Sequence, residues 1–184
     1  MEFELLYMIQ KLHTPFLDEV MKGITFLGES GWFWILLAVL LFCPKRTRKI
    51  GLAVALSLAV GLLLGNMILK PLVARQRPCW LDGSIPLLIA SPRDFSFPSG
   101  HTLASFEGAV SIFLYRRDWG LWALALAVLI AFSRLYLFVH FPTDVLAGAV
   151  MGTAIALGVH RLLERTEKRR KNQEEVRILS LIHI

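Results

Sequence analysis

Residues Ile50–Leu69 read IGLAVALSLAVGLLLGNMIL, twenty positions without one charge. A helix rises ~1.5 Å per residue, so about 20 such residues match the ~30 Å hydrocarbon core of a bilayer. This run is the clearest span. Working outward, Gly31–Pro44 is also uncharged and carries Trp32 and Trp34, which suit an interface belt. His101–Tyr115 is apolar but for Glu107, Trp119–Ser133 continues past Arg134 into Leu135–Val139, and Val145–Leu163 is the last span. Upstream, residues 2–12 mix apolar and charged positions as an amphipathic surface helix does. Pro15 then opens a segment, 15–28, holding Asp18, Glu19 and Lys22, which is a poor span unless packed against neighbours. The expectation is an all-α polytopic integral membrane bundle of about six helices: five clear spans plus the amphipathic N-terminal segment.

Composition agrees. Of 184 residues 55% are hydrophobic and 18% charged, with mean hydropathy +0.58. That excludes a disordered chain, and the length leaves no room for a large extramembrane domain. One domain is expected over 1–163, with a charged cytoplasmic tail over 164–178. The six residues Leu-Ser-Leu-Ile-His-Ile, 179–184, follow that tail abruptly and match the translation of a common transposon-end sequencing adapter. They are set aside, His183 with them, as an artefact that would leave the true C-terminus missing. Met1–Leu12 has neither a basic start nor a small-residue cleavage site, so no cleavable signal peptide is expected.

The net charge of +6 would suggest nucleic acid in a soluble protein. Here the cations lie between apolar runs and read as topology signals, with no nucleic-acid partner. Thirteen fall in the 45–49 loop, the 116–118 turn and the C-terminal region, which are placed in the cytoplasm. Five (Lys70, Arg75, Arg77, Arg93 and Arg134) fall on the other side. Topology disfavours cations there, so these five call for a functional explanation. Cys43 and Cys79 fall on opposite sides, and a disulfide between them would contradict this arrangement.

Three short stretches share that outer face. They are Lys70-Pro-Leu-Val-Ala-Arg-Gln-Arg77-Pro78, then Pro98-Ser99-Gly100-His101, then Ser133-Arg134 with His140 and Asp144 following. Each ends or begins an apolar run, so a bundle can bring them together. They contain no Cys/His or carboxylate grouping of metal-site type, and no metal or cofactor is expected. The set suits phosphoryl transfer, whose transition state spreads charge over three oxygens that cations and N–H groups must hold. Lys70, Arg77 and Arg134 supply charge, and arginine adds a forked grip. Ser99-Gly100 opens a helix, where free N–H groups favour an anion and glycine lets phosphate come close. Of two histidines, one can attack and one protonate the leaving oxygen. Asp144, four residues after His140 in a first helical turn, can hold the attacking ring's far nitrogen.

These stretches resemble the three signature motifs of the type-2 phosphatidic-acid phosphatase superfamily, K-x6-R-P, P-S-G-H and S-R-x5-H-x3-D. All are met in order, and the likeness spans about residues 50–160. The resemblance implies a six-helix core and metal-independent hydrolysis of a lipid phosphate. It implies His140 as the nucleophile that becomes phosphohistidine, Asp144 as its orienter and His101 as general acid. Lys70, Arg77, Arg134, Ser99 and Gly100 would bind phosphate.

Taken singly, each residue has a plainer reading. Lys70 can snorkel at a helix end, Asp144 can serve only the helix dipole, and His101 can be a hydrogen-bonded interface histidine. Arg134 interrupts an apolar run and needs an anion or water. Glu107 reads as a structural buried acid. Asn66 either orients Lys70 or bonds helix to helix. Arg75 and Arg93 contact either a second phosphate or headgroup, or solvent. The expected function is a multi-pass cell-membrane phosphatase with its site on the outer face, where an amphiphile presents its headgroup. Undecaprenyl diphosphate is favoured over phosphatidylglycerophosphate and phosphatidate. The alternatives are a non-catalytic lipid-phosphate binder or transporter, and a lipid phosphotransferase. Oligomeric state is not legible.

Overall fold

The computed structural model describes residues 1–182, side chains of 176, 177 and 179–182 aside; His183, set aside above, lies outside the described residues. The described residues are helical with no strand. In order they form α1 (Glu2–Gln10), α2 (Pro15–Gly28), a 3₁₀ turn (Glu29–Gly31), α3 (Trp32–Phe42) and α4 (Arg48–Gly61). A π-helical stretch (Leu62–Leu69) carries α4 into α5 (Lys70–Val73). Then come α6 (Pro78–Leu81), α7 (Gly100–Tyr115), α8 (Arg117–Tyr136) and α9 (Pro142–Ile182). Four segments are long and apolar enough to cross a membrane: Pro15–Phe42, Arg48–Leu81, Arg117–Tyr136 and Pro142–Glu175. The chain is a membrane protein.

The apolar run His101–Tyr115 became α7, sixteen residues long and the most enclosed helix, packed against α4, α8 and α9. Close approach of backbones makes this possible. A Cβ on Gly148 would stand 2.8 Å from the carbonyl oxygen of Ser99, and one on Gly152 2.6 Å from that of Leu103. Glycines four apart on α9 therefore let α7 and α9 touch along their backbones, as small-residue pairs do between membrane helices. Trp34, fully buried, donates from its indole to Ser105 of α7 at 3.1 Å, anchoring α3.

Helix starts follow local chemistry. Pro15 takes the first position of α2, where its missing N–H costs nothing, and Thr14 caps it by accepting from Leu17 N. Ser99 caps α7. The basic loop 45–49 and the start of the charged tail share one end of the bundle, joined by the Lys49–Glu167 ion pair. The three motif stretches share the other end. Segment 15–28 meets that same end at both of its own ends: Asp18 accepts from the Tyr136 hydroxyl at 2.6 Å, and Gly28 packs on His101. The span is completed by α3, after a bend with positive φ at Ser30 and Gly31.

Candidate active site

The turn between α8 and α9 sets the site. Leu137–Phe141 reverses the chain through Phe138, whose φ is 59°. Phe138 is buried among Phe3, Tyr7 and Phe141, which hold a backbone conformation that a bulky residue rarely adopts. The turn places His140 at the bundle end, 1% exposed, with Asp144 one helical turn further on and fully buried.

Arg77, 2% exposed, lies against this histidine. Its Nη1 donates to Val139 O at 2.7 Å and stands 3.0 Å from His140 Nε2. Its other N–H groups donate to Asp94 O and to Asp94 Oδ1, each at 2.7 Å. Lys70 donates to the other Asp94 oxygen. Burial alone would raise the Asp94 carboxyl, but the Lys70 ammonium and Arg77 guanidinium hold it down at about 2. Asp94 therefore joins two of the sequence-assigned cations as an ionised carboxylate.

Behind the ring, the Ser96 hydroxyl donates to Asp144 Oδ2 at 2.5 Å and lies 3.3 Å from His140 Nδ1. Direct separation of Nδ1 and Asp144 Oδ2 is 3.7 Å. The carboxylate also accepts from Phe141 N at 2.9 Å. Burial first, and then the charges of Arg77, Arg134 and Lys70, hold the His140 imidazole well below the ordinary histidine range, so it is neutral.

One cavity of about 1190 Å³ is lined by Lys70, Arg77, His101, Arg134 and His140 together, with Gly100 on its wall. The two imidazoles thus face a common space. Among the described residues His101 Nε2 has no hydrogen-bond partner, and it lies 3.8 Å from Glu29 Oε2. Arg134 donates to Thr25 at 2.5 Å, while its buried Nε finds no partner among them. A free donor and a free ring nitrogen on one cavity wall fit a ligand with acceptor oxygens. Ser99 and Asp144 do not line the cavity. The Ser99 hydroxyl accepts from Thr102 Oγ1 at 3.0 Å, and its N–H donates to the Asp144 carbonyl at 3.1 Å. Asn66 lies beside Gly100, and Glu107 lies deeper against Gly61. Among the described residues no group of three or more His, Cys, Asp or Glu has metal-site geometry.

Residues 49–168 match the PAP2 superfamily. The chain belongs to that superfamily. Its PAP2 relatives include the undecaprenyl-diphosphatase of Sulfolobus acidocaldarius, 39% identical over 137 residues, which are 72% of this chain and 66% of that protein. Phosphatidylglycerophosphatase B of Bacillus subtilis is 33% identical over 174 residues, 87% of this chain and 82% of that protein. The crystal structure of Aquifex aeolicus LpxE superposes with a TM-score of 0.76 at 29% identity, covering 87% of this chain and 94% of that one. The expected family and helical membrane fold are thereby borne out, and the chain is a lipid phosphatase of PAP2 type.

Sequence reasoning missed Asp94 and Ser96. Both sit in the polar 70–98 loop, where nothing in the residue pattern distinguishes a site residue from a solvated one. It also left the partners of Arg75 open; they are Glu2, Thr143 and Asp144.

Proposed function

We propose that this PAP2-type lipid phosphatase removes the terminal phosphate of undecaprenyl diphosphate at the outer face of the cell membrane, with phosphatidylglycerophosphate and phosphatidate as weaker candidates. One observation carries the reading. The cavity that holds both imidazoles and the three cations continues as an apolar groove between α3 and α4, past Ile35, Val39, Leu58 and Leu62, to Phe42 and Gly51. From Asn66 in the π-helical stretch down to Gly51 in α4 the groove follows sixteen residues, roughly 22 Å of helix. Such a shape takes a charged headgroup at one end and a long hydrocarbon chain along its length. The favour for a polyprenyl diphosphate draws on the Sulfolobus relative's activity and on the number of cations at the mouth.

In the proposed course, Arg77, Lys70 and Arg134 grip the phosphoryl oxygens, and the Gly100 end of α7 adds backbone N–H groups. His140 Nε2 attacks phosphorus, forming a P–N bond while the P–O bond to the leaving group breaks. His101 gives its proton to the departing oxygen. Water then attacks phosphorus, His101 takes the water's proton, and the P–N bond breaks to release inorganic phosphate. Asp144, aided by Ser96, orients the ring and stabilises its cationic form. Three cations supply the charge that a metal would otherwise bring. The proposed unit is a single domain over 1–163 with the tail on the cytoplasmic side.

The test is inorganic phosphate release by the detergent-solubilised chain from undecaprenyl diphosphate, phosphatidylglycerophosphate and phosphatidate, with and without excess EDTA. The diphosphate is expected to turn over fastest, EDTA to change nothing, and His140→Ala to abolish release while remaining folded. Full activity of His140→Ala, or EDTA inhibition reversed by a divalent ion, counts against the mechanism. Binding without phosphate release would leave a lipid-phosphate binder.

A further inference from the structure

Arg75 sits between Lys70 and Arg77, but the structure turns it away from the cavity those two line. Its Nη1 donates to Asp144 Oδ1 at 2.6 Å and to Thr143 Oγ1 at 2.6 Å. Its Nη2 donates to Glu2 Oε2 at 2.5 Å. Its guanidinium carbon stands 4.2 Å over the ring of Phe141. Glu2 in turn accepts from Thr143 N at 3.2 Å and from Thr143 Oγ1 at 2.7 Å. The Arg75 carbonyl receives the N–H of Ser96 at 2.8 Å. Arg75 therefore ties together both groups that back the His140 ring, and the first helix of the chain holds Arg75.

We infer that Arg75, held by Glu2, is a positioning residue that keeps the Asp144 carboxylate and Ser96 set behind His140. The inference rests on the reading of His140 as nucleophile. Asp144 is fully buried, and its Oδ2 is committed to Ser96 and Phe141 N. Oδ1 has Arg75 as its charged partner. Without that partner the buried carboxylate is free to turn away from the ring. That loosens the ring whose lone pair must meet phosphorus, and misplacement of a reacting group is costly.

The charge balance gives a second signature. Arg75 and Glu2 face the His140–Asp144 pair from one side. Arg77, Lys70 and Asp94 face it from the 70–98 segment, Arg134 from α8 and His101 from α7. Removing the Arg75 cation leaves the Asp144 carboxylate less compensated, which favours a protonated ring. Attack needs the neutral ring, so the acid limb of the rate profile moves to higher pH.

The experiment uses the full chain in detergent with undecaprenyl diphosphate as substrate, following kcat, KM and the pH profile. Arg75→Ala is expected to lower kcat roughly 10- to 100-fold with KM changed less than about twofold. Its acid limb is expected to rise, added guanidinium to restore part of kcat, and Arg75→Lys to fall between. Glu2→Gln is expected to act in the same direction, more weakly. A raised KM with unchanged kcat and an unmoved acid limb would show a substrate contact and overturn the inference. So would a lost kcat with neither the pH shift nor guanidinium rescue, which marks a merely structural residue. If Arg75→Ala does not stay monodisperse, Arg75→Lys and Glu2→Gln carry the same readouts. An active His140→Ala, by contrast, overturns the catalytic reading and not the Arg75 geometry.

Discussion

Arg77 touches His140 through a group that can only donate. A guanidinium has no acceptor, so the 3.0 Å contact makes Nε2 the unprotonated nitrogen and puts the ring hydrogen on Nδ1, toward Ser96 and Asp144. That tautomer leaves the Nε2 lone pair accepting from Arg77 in the resting site, and Arg77 must release it before the ring can attack phosphorus. The neutral state of His140 also has a cost that depends on pH. Above the unfolded histidine's value both states are neutral, and stability owes nothing to this group. As pH falls below about 6.5 the unfolded chain takes a proton that the folded chain refuses, so stability is lost at up to ~1.4 kcal/mol per pH unit. Thermal unfolding in detergent between pH 7.5 and 5 is expected to show this slope, and His140→Gln to lessen it. Asp94 offers a second residue-level check. Its carboxylate occupies Lys70 and Arg77, so Asp94→Asn is expected to tighten inhibition by inorganic phosphate a few-fold, worth about 1 kcal/mol for a half-exposed pair. Weaker inhibition would mean that Asp94 helps to hold the cations in place. At this scale the motif residues were legible because cations and imidazoles gathered at the ends of apolar runs have few other uses. Asp94, Ser96 and the target of Arg75 were not, since a loop's path decides which of its polar side chains turn inward.

Among the elements, α7 and α9 carry the site's precision. Ser99 N–H bonds to the Asp144 carbonyl just where Gly148 lets the two helices meet. Gly148→Val is therefore expected to separate them, because the atom it meets is backbone and cannot yield. The cost should be about 1–3 kcal/mol of stability, read as a lower melting temperature, with a fall in kcat as His140 and His101 move apart. An unchanged melting temperature would show that the contact is looser than its geometry indicates. Apolar run lengths located α3, α4, α7, α8 and α9, and Pro15 and Ser99 marked the starts of α2 and α7, while the short α5 and α6 lie in the stretch that reads as a polar loop. The π-helical stretch Leu62–Leu69 was not legible, because hydropathy does not report hydrogen-bond register. Nor was the course of segment 15–28, whose polar residues find partners only in the folded bundle, Asp18 on Tyr136 and Thr25 on Arg134.

For the whole molecule, charge and shape divide along one axis. The cavity-lining cations gather at one end, and the 45–49, 116–117 and α9-tail cations belong to the other. In a background lacking Cys43 and Cys79, Arg93→Cys is expected to react with a membrane-impermeant thiol reagent on intact cells, and Arg165→Cys only after lysis. The reverse labelling would put the site on the cytoplasmic side and remove the outer-leaflet substrate from the proposal.

The amino-acid order alone determined the family, the helical membrane class and the cations and imidazoles that the fold brings to one cavity. Apolar run length and the type of charged residue are local properties, and a bilayer leaves few structures that satisfy them. Only the folded chain decided that Asp94 bridges Lys70 and Arg77, that Ser96 backs His140, and that a helix beginning at Glu2 braces Asp144 through Arg75. Those pairings join residues as far as 73 positions apart. No spacing rule reaches that distance, because the route of the intervening chain, set by packing, selects which donors and acceptors come within hydrogen-bond reach of one another.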